Sequence, residues 1–326
     1  MQAAYYVKQG PAREVLQFGE QPTPIPGLGE VRVRVRASGV NPSDWKSRSN
    51  ARGTAMAVPL VIPHSDGAGD IDMTGPDVAN RIGERVWIWN GQYERPHGTA
   101  AEYIVVPSKL AAPLPEGVGY AEGACLGVPA FTAIQAVRLV NLKPGMTVLI
   151  IGGAGSVGHY AIQLAKLRGA HVITTVSGPD KAAHARKAGA DEAINYRTEN
   201  LEERVKALTG GCGVDALIEL DLTRNGKDYP KLLRPHATVV VYGMSANEAT
   251  LPTLFLMRNS ITLRLFRIYD ISPTDRDAGL AELGALLQGN KLTHTVACHM
   301  PLSDIAAAHE LGESGTVIGN IVLDIP

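Results

Sequence analysis

Three glycines in the stretch IGGAGSVGHYAIQLAKLRGA, Ile151 to Ala170, stand in a G-x-G-x-x-G array at Gly153, Gly155 and Gly158. Such an array cradles the pyrophosphate of a dinucleotide when it follows a strand directly and opens a helix. The sequence meets both conditions. TVLIIGG is a short apolar run of the kind that forms a buried parallel strand. Val157, Ala161, Leu164 and Ala165 then recur at helical spacing. In that setting Gly153 permits a tight turn, Gly155 lets a pyrophosphate approach the backbone, and Gly158 lets helix and strand pack closely. Ala154, Ser156 and Val157 complete the cradle, and the helix N-terminus offers N–H groups and partial positive charge to phosphates. The alternative is a structural strand-to-helix turn that holds no ligand.

The next strand, HVITTVS, bears on which dinucleotide would bind. An NAD site places an Asp or Glu at the end of this strand, against the ribose 2′-OH. Here the chain reads TTVSGPDK, with Thr175, Val176 and Ser177 at the strand end. Ser177 and Lys181, one helical turn apart, offer a hydroxyl and an ammonium to a 2′-phosphate, which favours NADP. Asp180 falls at the start of the following helix, where a carboxylate is favoured by the helix dipole alone, and is read that way.

The elements around these residues fall into two kinds. The first third is β-rich and heavily punctuated by proline and glycine. In EVRVRVRASGV, Val31, Val33 and Val35 alternate with Arg32, Arg34 and Arg36, which predicts a strand with one apolar and one wet face rather than a basic binding stripe. GERVWIWN and AEYIVVP predict two more strands. From about Gly123 strands and helices alternate: KAAHARKAGA is a helix opened by Pro179 and closed by Gly189, and VDALIEL and ATVVVYG continue the strand series. Alternation of this kind implies a parallel sheet with helices on both faces.

The totals agree with a folded chain of two ordinary domains: 326 residues, 45% hydrophobic and 19% charged. A formal net charge of −1 gives no electrostatic reason to expect nucleic acid or an anionic membrane as partner. Cys125, Cys212 and Cys298 are sparse and odd in number, which argues against a disulfide framework. No apolar N-terminal segment and no membrane-length apolar run is present, so a cytoplasmic location is expected. His159, next to the last glycine of the array, reads as a partly exposed helix residue. His294, Cys298 and His299 in THTVACHM read as ordinary strand residues rather than a metal site.

The chain resembles the medium-chain dehydrogenase/reductase superfamily, and within it the zinc-free quinone oxidoreductase branch that includes zeta-crystallin. The resemblance rests on GVNPSDWKSR (39–48), HSDGAG (64–69), GERV (83–86), AEYIVVP (101–107), PAFTAIQAV (129–137), the glycine array, KAGADEAINYR (187–197) and GNIVLDI (319–325). It implies a Rossmann doubly wound parallel sheet inserted in a β-rich GroES-like (chaperonin-10-like) domain: residues 1–123, then 124–267 for NADP, then a return over 268–326. It places the cofactor in the cleft between domains. It sets Thr132 against the nicotinamide amide, Tyr196 near the adenosine 2′-phosphate, Gly243 in the nicotinamide pocket and Asn320 among the cofactor contacts. The run RNSITLRLFRIY is where the family commonly builds a homodimer.

The superfamily's zinc enzymes test the metal question. Their catalytic zinc takes a Cys where this sequence has Asn41, a His where it has Ser65, and a third ligand near Gly127. Their four-cysteine lobe would fall in WIWNGQYERPHGTA, which has no cysteine. Zinc needs three or four such ligands together, so no metal is expected. Without a Lewis acid, the accessible reaction is hydride transfer from NADPH to an electrophilic acceptor, a quinone or conjugated carbonyl. Asn41 offers an amide to a developing oxyanion, or is a plain Asn-Pro turn residue. Asp44 and Arg48 match family positions and suggest an internal polar network. Lys46 stands where the branch often has a tyrosine, and either polarises an oxygen or is solvated. Trp45 is a flat wall for a planar acceptor, or core. The readings that remain are an NADPH-dependent quinone reductase, an enone or alkenal C=C reductase of the same fold, and a nucleotide-binding protein of crystallin-like or RNA-binding use.

Overall fold

In the computed structural model, which describes residues 1–51 and 53–326, a ribbon of β1 (Gln2–Tyr5) and β2 (Gln17–Glu20) precedes the period-two run. That run forms one long strand, β3 (Glu30–Val40). The helix α1 (Pro42–Arg48) follows at once, started by Pro42 in the first turn, where its missing N–H costs nothing. β4 (Asp66–Thr74), β5 (Arg85–Ile88), β6 (Tyr103–Pro107) and β7 (Ala111–Pro113) complete the N-terminal part. Val31, Val33 and Val35 are fully buried. On the other face Arg32 and Arg36 pair with Asp72 and Asp70 of the neighbouring β4 at 2.8 and 3.0 Å. Two of the three arginines are therefore neutralised across the sheet rather than offered to a ligand.

After a π-helical turn at 126–130 the pattern becomes the alternating one. It runs α2 (Phe131–Val140), β8 (Thr147–Ile150), α3 (Ser156–Leu167), β9 (His171–Val176), α4 (Pro179–Lys187), β10 (Glu192–Asn195), α5 (Leu201–Leu208), β11 (Val214–Glu219), β12 (Leu233–Val241) and β13 (Thr262–Leu265). These strands form one sheet in the order β10-β9-β8-β11-β12-β13, parallel throughout. This is the doubly wound order, and it reverses between β8 and β11, where such folds bind nucleotides at the carboxyl ends of the strands. Leu149, Ile173, Leu217 and Val239 make its fully buried core.

α6 (Pro273–Gln288), β14 (Val296–Pro301), α7 (Ile305–Glu313) and β15 (Asn320–Asp324) end the chain. β15 returns to pair antiparallel with β3, Val322 opposite Gly39, in a sheet of order β14-β15-β3-β4-β5-β7 that also carries β6 on β3. The chain divides into a β-rich unit, Met1–Pro129 with Gly284–Pro326, and a Rossmann unit, Ala130–Leu283. Both joins fall later than 123 and 267, for packing reasons. Ala124 and Cys125 belong to a cluster with Ala37 and Val322 of the β-rich unit. The first half of α6 belongs with α2: a Cβ at Gly279 would lie 2.6 Å from the Phe131 ring. Among the described residues no helix is long and apolar enough to cross a membrane.

Candidate active site

The glycine array forms the turn between β8 and α3, and each glycine is there for a separate reason. The left-handed residue of the turn is Gly152, at φ +75°, one place before the array. The tight turn is therefore the work of Gly152 and not of Gly153. Thr175 holds it, accepting from Gly152 N through its Oγ1 at 3.0 Å and from Gly153 N through its carbonyl at 3.1 Å. Gly153 must lack a side chain because a Cβ would lie 2.2 Å from Thr174 Oγ1. At Gly158 a Cβ would lie 2.3 Å from Gly152 O and 2.8 Å from Gly153 Cα, the close helix-to-turn packing that the array predicts. Gly155, just before Ser156 opens α3, has only Gly152 O near its Cβ position, at 3.3 Å. Ala154, Ser156 and Val157 lie between them on the turn and the first turn of α3, where N–H groups have no carbonyl within the helix to bond.

Three further residues gather at the carboxyl ends of β9 and β10. These strands are parallel with Asn195 opposite Val176, and Tyr196 N bonds Val176 O at 3.1 Å. Ser177 and Tyr196 thus leave adjacent strand ends together, and Lys181 stands in the first turn of α4 beside them. Tyr196 is 55% exposed. Thr132 is buried on α2, which packs on β11 and β12. At Gly243, just after β12, a Cβ would lie 2.1 Å from Leu220 O. His159 is not partly exposed as its sequence suggests: it is 4% exposed, because α3 turns it toward His184 of α4, ring centroids 4.9 Å apart. Asn320 lies in the β-rich unit and spends its Nδ2 on Thr295 O at 3.0 Å, which ties the start of β15 to the chain before β14.

The second region is the corner where β3 meets α1. Asn41 is 2% exposed, and its Nδ2 donates to Asp66 Oδ2 at 2.8 Å. Asp44 Oδ2 accepts from Asn41 N at 2.7 Å and so closes the first turn of α1. Arg48, fully buried, pairs with Glu313 of α7 and donates to Gly10 O. Asp44 and Arg48 are therefore structural here, with Arg48 tying α1 to α7. Lys46 is half-buried on the same helix. Trp45 packs on α7, where a Cβ at Gly312 would lie 2.6 Å from its ring. Met56 packs on the cluster of Tyr6, Val15 and Val61, and Trp89 is buried.

A line of buried hydrogen bonds runs beneath this corner. Arg48 Nε donates to His309 Nδ1 at 3.4 Å; His309 Nε2 and His64 Nε2 are 2.9 Å apart; His64 Nδ1 meets Ser38 Oγ, and Ser38 Oγ meets Thr99 Oγ1, both at 2.8 Å; Thr99 Oγ1 donates to Asp66 O at 2.5 Å. Its direction is forced from both ends, since a guanidinium only donates and a backbone carbonyl only accepts. Every member in between must donate onward, so both imidazoles are neutral with the proton on His309 Nε2 and His64 Nδ1. Burial agrees: it pushes His64 down to about 3, and it lowers His309 together with the nearby His64 and Arg48. With an arginine at one end and a carbonyl at the other, the line cannot relay protons and acts as a strut. His64 holds its place in it at φ +77°, a conformation that a non-glycine residue adopts at a cost in strain.

Asp66 itself is fully buried. Burial raises its carboxyl to about 7, against the lowering by bonds from Val128 N (2.7 Å) and Asn41. Asp66 and the His64–His309 pair carry little local signal in the sequence beyond a carboxylate set among small residues in HSDGAG. Glu219, buried at the end of β11, is likewise unmarked; it accepts from Asp221 N and Asn225 Nδ2 and shapes the loop after that strand. At the positions of the zinc relatives' ligands stand Asn41, bonded to Asp66, Ser65, which is buried, and the glycine at 127. Cys125 Sγ donates to Ala121 O at 3.2 Å, and His299 Nδ1 pairs with Asp324 at 2.9 Å. Among the described residues no three His, Cys, Asp or Glu side chains converge.

A GroES-like β-unit joined to a Rossmann unit with a glycine cradle defines a dehydrogenase or reductase of the two-domain kind. Residues 27–116 match the alcohol dehydrogenase GroES-like domain family, and residues 156–283 match the zinc-binding dehydrogenase family. The chain is 31% identical to a 2-haloacrylate reductase of a Burkholderia species, over 99% of this chain and 98% of that protein. It is 29% identical to the quinone oxidoreductase of Rattus norvegicus, over 92% and 90% of the two chains. The solved structure of Escherichia coli quinone oxidoreductase complexed with NADPH superposes with a TM-score of 0.88 at 28% identity, covering 99% of this chain and all of that one. The chain belongs to the medium-chain dehydrogenase/reductase family, in its quinone oxidoreductase branch, and is an oxidoreductase.

Proposed function

We propose that the protein is an NADPH-dependent, zinc-independent reductase whose acceptor is a quinone. The observation that carries the cofactor reading is the strand end at Ser177. No carboxylate stands there, and a hydroxyl, an ammonium at Lys181 and the phenol of Tyr196 share one edge. The cradle fits a pyrophosphate: no side chain stands at Gly155, whose Cβ position is nearly clear, and it directly precedes the N-terminal turn of α3. Ala154, Ser156 and Val157 would hold the phosphates, Thr132 and Gly243 the nicotinamide end, and Asn320 is retained as a further contact. When bound, the nicotinamide supplies a hydride; the protein binds, orients and excludes water. The zinc-independent reading is supported by Asn41, an amide donating to a carboxyl where the zinc relatives place a thiolate.

Asn41 fixes the corner and Lys46, one turn along α1, is the cation set beside the acceptor. Self-association through β13 is part of the proposal, supported by its place at the sheet edge, where among the described residues it pairs only with β12, and by the exposed Leu265. The cytoplasm is the proposed location. The Burkholderia relative favours a second reading, reduction of a conjugated C=C bond. The deciding experiment is oxidation of NADPH, with NADH in parallel, against a para-quinone, an ortho-quinone, an enone, an alkenal and a 2-haloacrylate. Quinone turnover with NADPH preferred is the expected result. Turnover of only the last three acceptors would move the function to double-bond reduction, and a preference for NADH would sink the Ser177 and Lys181 argument.

A further inference from the structure

One carboxyl oxygen in the β-rich unit is buried without a hydrogen-bond partner: Oδ1 of Asp66. Its other oxygen is doubly used. Val128 N–H donates to Oδ2, and an ionised carboxylate can only accept. Toward that carboxylate Asn41 presents its Nδ2, not its carbonyl. The orientation of the Asn41 amide is therefore dictated by Asp66.

The surroundings are built to seat this acid. A Cβ at Gly127 would lie 2.2 Å from Asp66 Oδ1, and one at Gly39 would lie 2.0 Å from Ala124 O and 3.4 Å from Asp66 Cβ. A Cβ at Gly67 would lie 2.8 Å from the Thr99 side chain that holds the Asp66 carbonyl. Three glycines clear the space, and the strut from Arg48 ends on the backbone of Asp66. An orphaned buried oxygen is costly, and an apolar residue would avoid that cost. What the carboxyl does in return is hold Asn41, the residue at which β3 turns into α1. That helix is then tied at Asn41, the residue that caps its start, by Asp66 and at its last residue by Arg48.

We propose that Asp66 is the positioning residue of the acceptor site, fixing the Asn41 amide and the start of α1 so that Lys46 keeps one orientation toward the acceptor. The proposal rests on the reductase reading for the word acceptor, and on the geometry alone for the clamp.

The test compares Asp66→Val, which removes both acceptor oxygens, with Asp66→Asn, which keeps one for Asn41 and Val128. Three quantities are read: acceptor kcat and KM at saturating NADPH, the NADPH dissociation constant from nicotinamide fluorescence, and the side-chain amide resonance of Asn41, assigned by its loss in Asn41→Ser. Asp66→Val is expected to lower acceptor kcat/KM by on the order of 10²-fold, the scale of a misplaced positioning group. NADPH affinity stays unchanged and the Asn41 resonance moves toward that of a solvated amide. Asp66→Asn restores most of the rate and the wild-type resonance. An unchanged rate in Asp66→Val, an equal loss of NADPH affinity, or an Asp66→Asn no better than Asp66→Val overturns the proposal. If Asp66→Val does not fold, Asn41→Ser cuts the same bond and is expected to give the same kinetic loss, whereas a wild-type rate in Asn41→Ser overturns the clamp. If the wild type reduces no acceptor, the reductase reading fails. The clamp is then decided by the resonance: an unmoved Asn41 signal in Asp66→Val overturns it, and a moved one restored in Asp66→Asn supports it.

Discussion

The turn at 152–158 and the corner around Asp66 both depend on glycines that tolerate no Cβ, yet they use the vacated space in opposite ways. At the turn, Gly153 and Gly158 clear room against Thr174 and against the turn's own backbone, so that α3 starts close to β8 with its N-terminal N–H groups unspent inside the helix. Only beside Gly155 is the Cβ position nearly clear, with Gly152 O at 3.3 Å. At the corner, Gly127 clears room that a side chain of the protein, Asp66, already fills, while Gly39 and Gly67 make way for Ala124 O and the Thr99 side chain beside it. The first arrangement ties the N–H groups of Gly152, Gly153 and Gly155 to the turn and to Thr175; the second brings two donors to one carboxyl oxygen and, among the described residues, leaves the other unmatched. A binding surface and a positioning strut can thus be told apart by asking where the hydrogen-bonding capacity ends up, not by counting glycines.

The sharpest break in the comparison comes from Gly158→Val. Its Cβ would stand 2.3 Å from Gly152 O, a backbone atom that cannot swing away. We expect NADPH affinity to fall by on the order of 10²-fold, with a stability loss of about 3 kcal/mol or more in urea melts. Wild-type NADPH binding in this variant would remove the cradle from the argument.

The corner is probed by pH. His64, held near 3, and His309, also lowered, stay neutral in the fold but gain protons when unfolded below about 6.5. His64 therefore makes stability rise with pH by about 1.4 kcal/mol per pH unit in the window between these values, that stability is lost as pH falls, and His309 acts in the same direction. Asp66, held near 7, works the other way: it keeps its proton in the fold while the unfolded chain releases it above about 4, so its contribution is lost as pH rises through 7. Between pH 4.5 and 6 His64 contributes about 1.4 kcal/mol per pH unit to this rise, His309 adds to it and Asp66 opposes it. His64→Gly, which also relieves the φ of +77°, is expected to reduce the measured slope by about that amount, because one of the two histidines is gone. Urea melts at pH 5 and 6 decide it; an unchanged slope would show that His64 is not a neutral member of the strut.

The smallest effect is at the edge of the cradle. Lys181→Ala removes one cation from a half-exposed helix start, with little expected change in melting temperature. NADPH affinity should fall by about tenfold, the scale of one charge-assisted hydrogen bond, while NADH affinity stays the same. An equal loss for both cofactors would place Lys181 away from the 2′-phosphate.

Much of the Rossmann unit was legible in the sequence because its signals are local. A strand, a glycine turn and an amphipathic helix follow one another between Thr147 and Leu167, and the helix limits at Pro179 and Gly189 follow from φ preferences alone. The misplaced details were also local ones. The turn's left-handed residue is Gly152, where GGAG offers two candidates, and His159 is buried because α4 brings His184 over it. The Asp66 corner was not legible, because its partners come from Asn41, Thr99 and Val128, and its strut from Ser38, His64, Arg48 and His309. Periodicity cannot register contacts across such separations.

The sequence by itself determined the alternation of strand and helix, the alternating faces of β3, the glycine cradle and the lack of a carboxylate after β9. Each follows from backbone preference or side-chain chemistry within a few residues. Only the tertiary structure decided that Asp44 and Arg48 hold α1 in place, that Asn41 turns its amide inward, and that a buried acid governs that turn. Those outcomes depend on which groups are taken out of water together, and burial is a property of the packed chain, not of any segment of it.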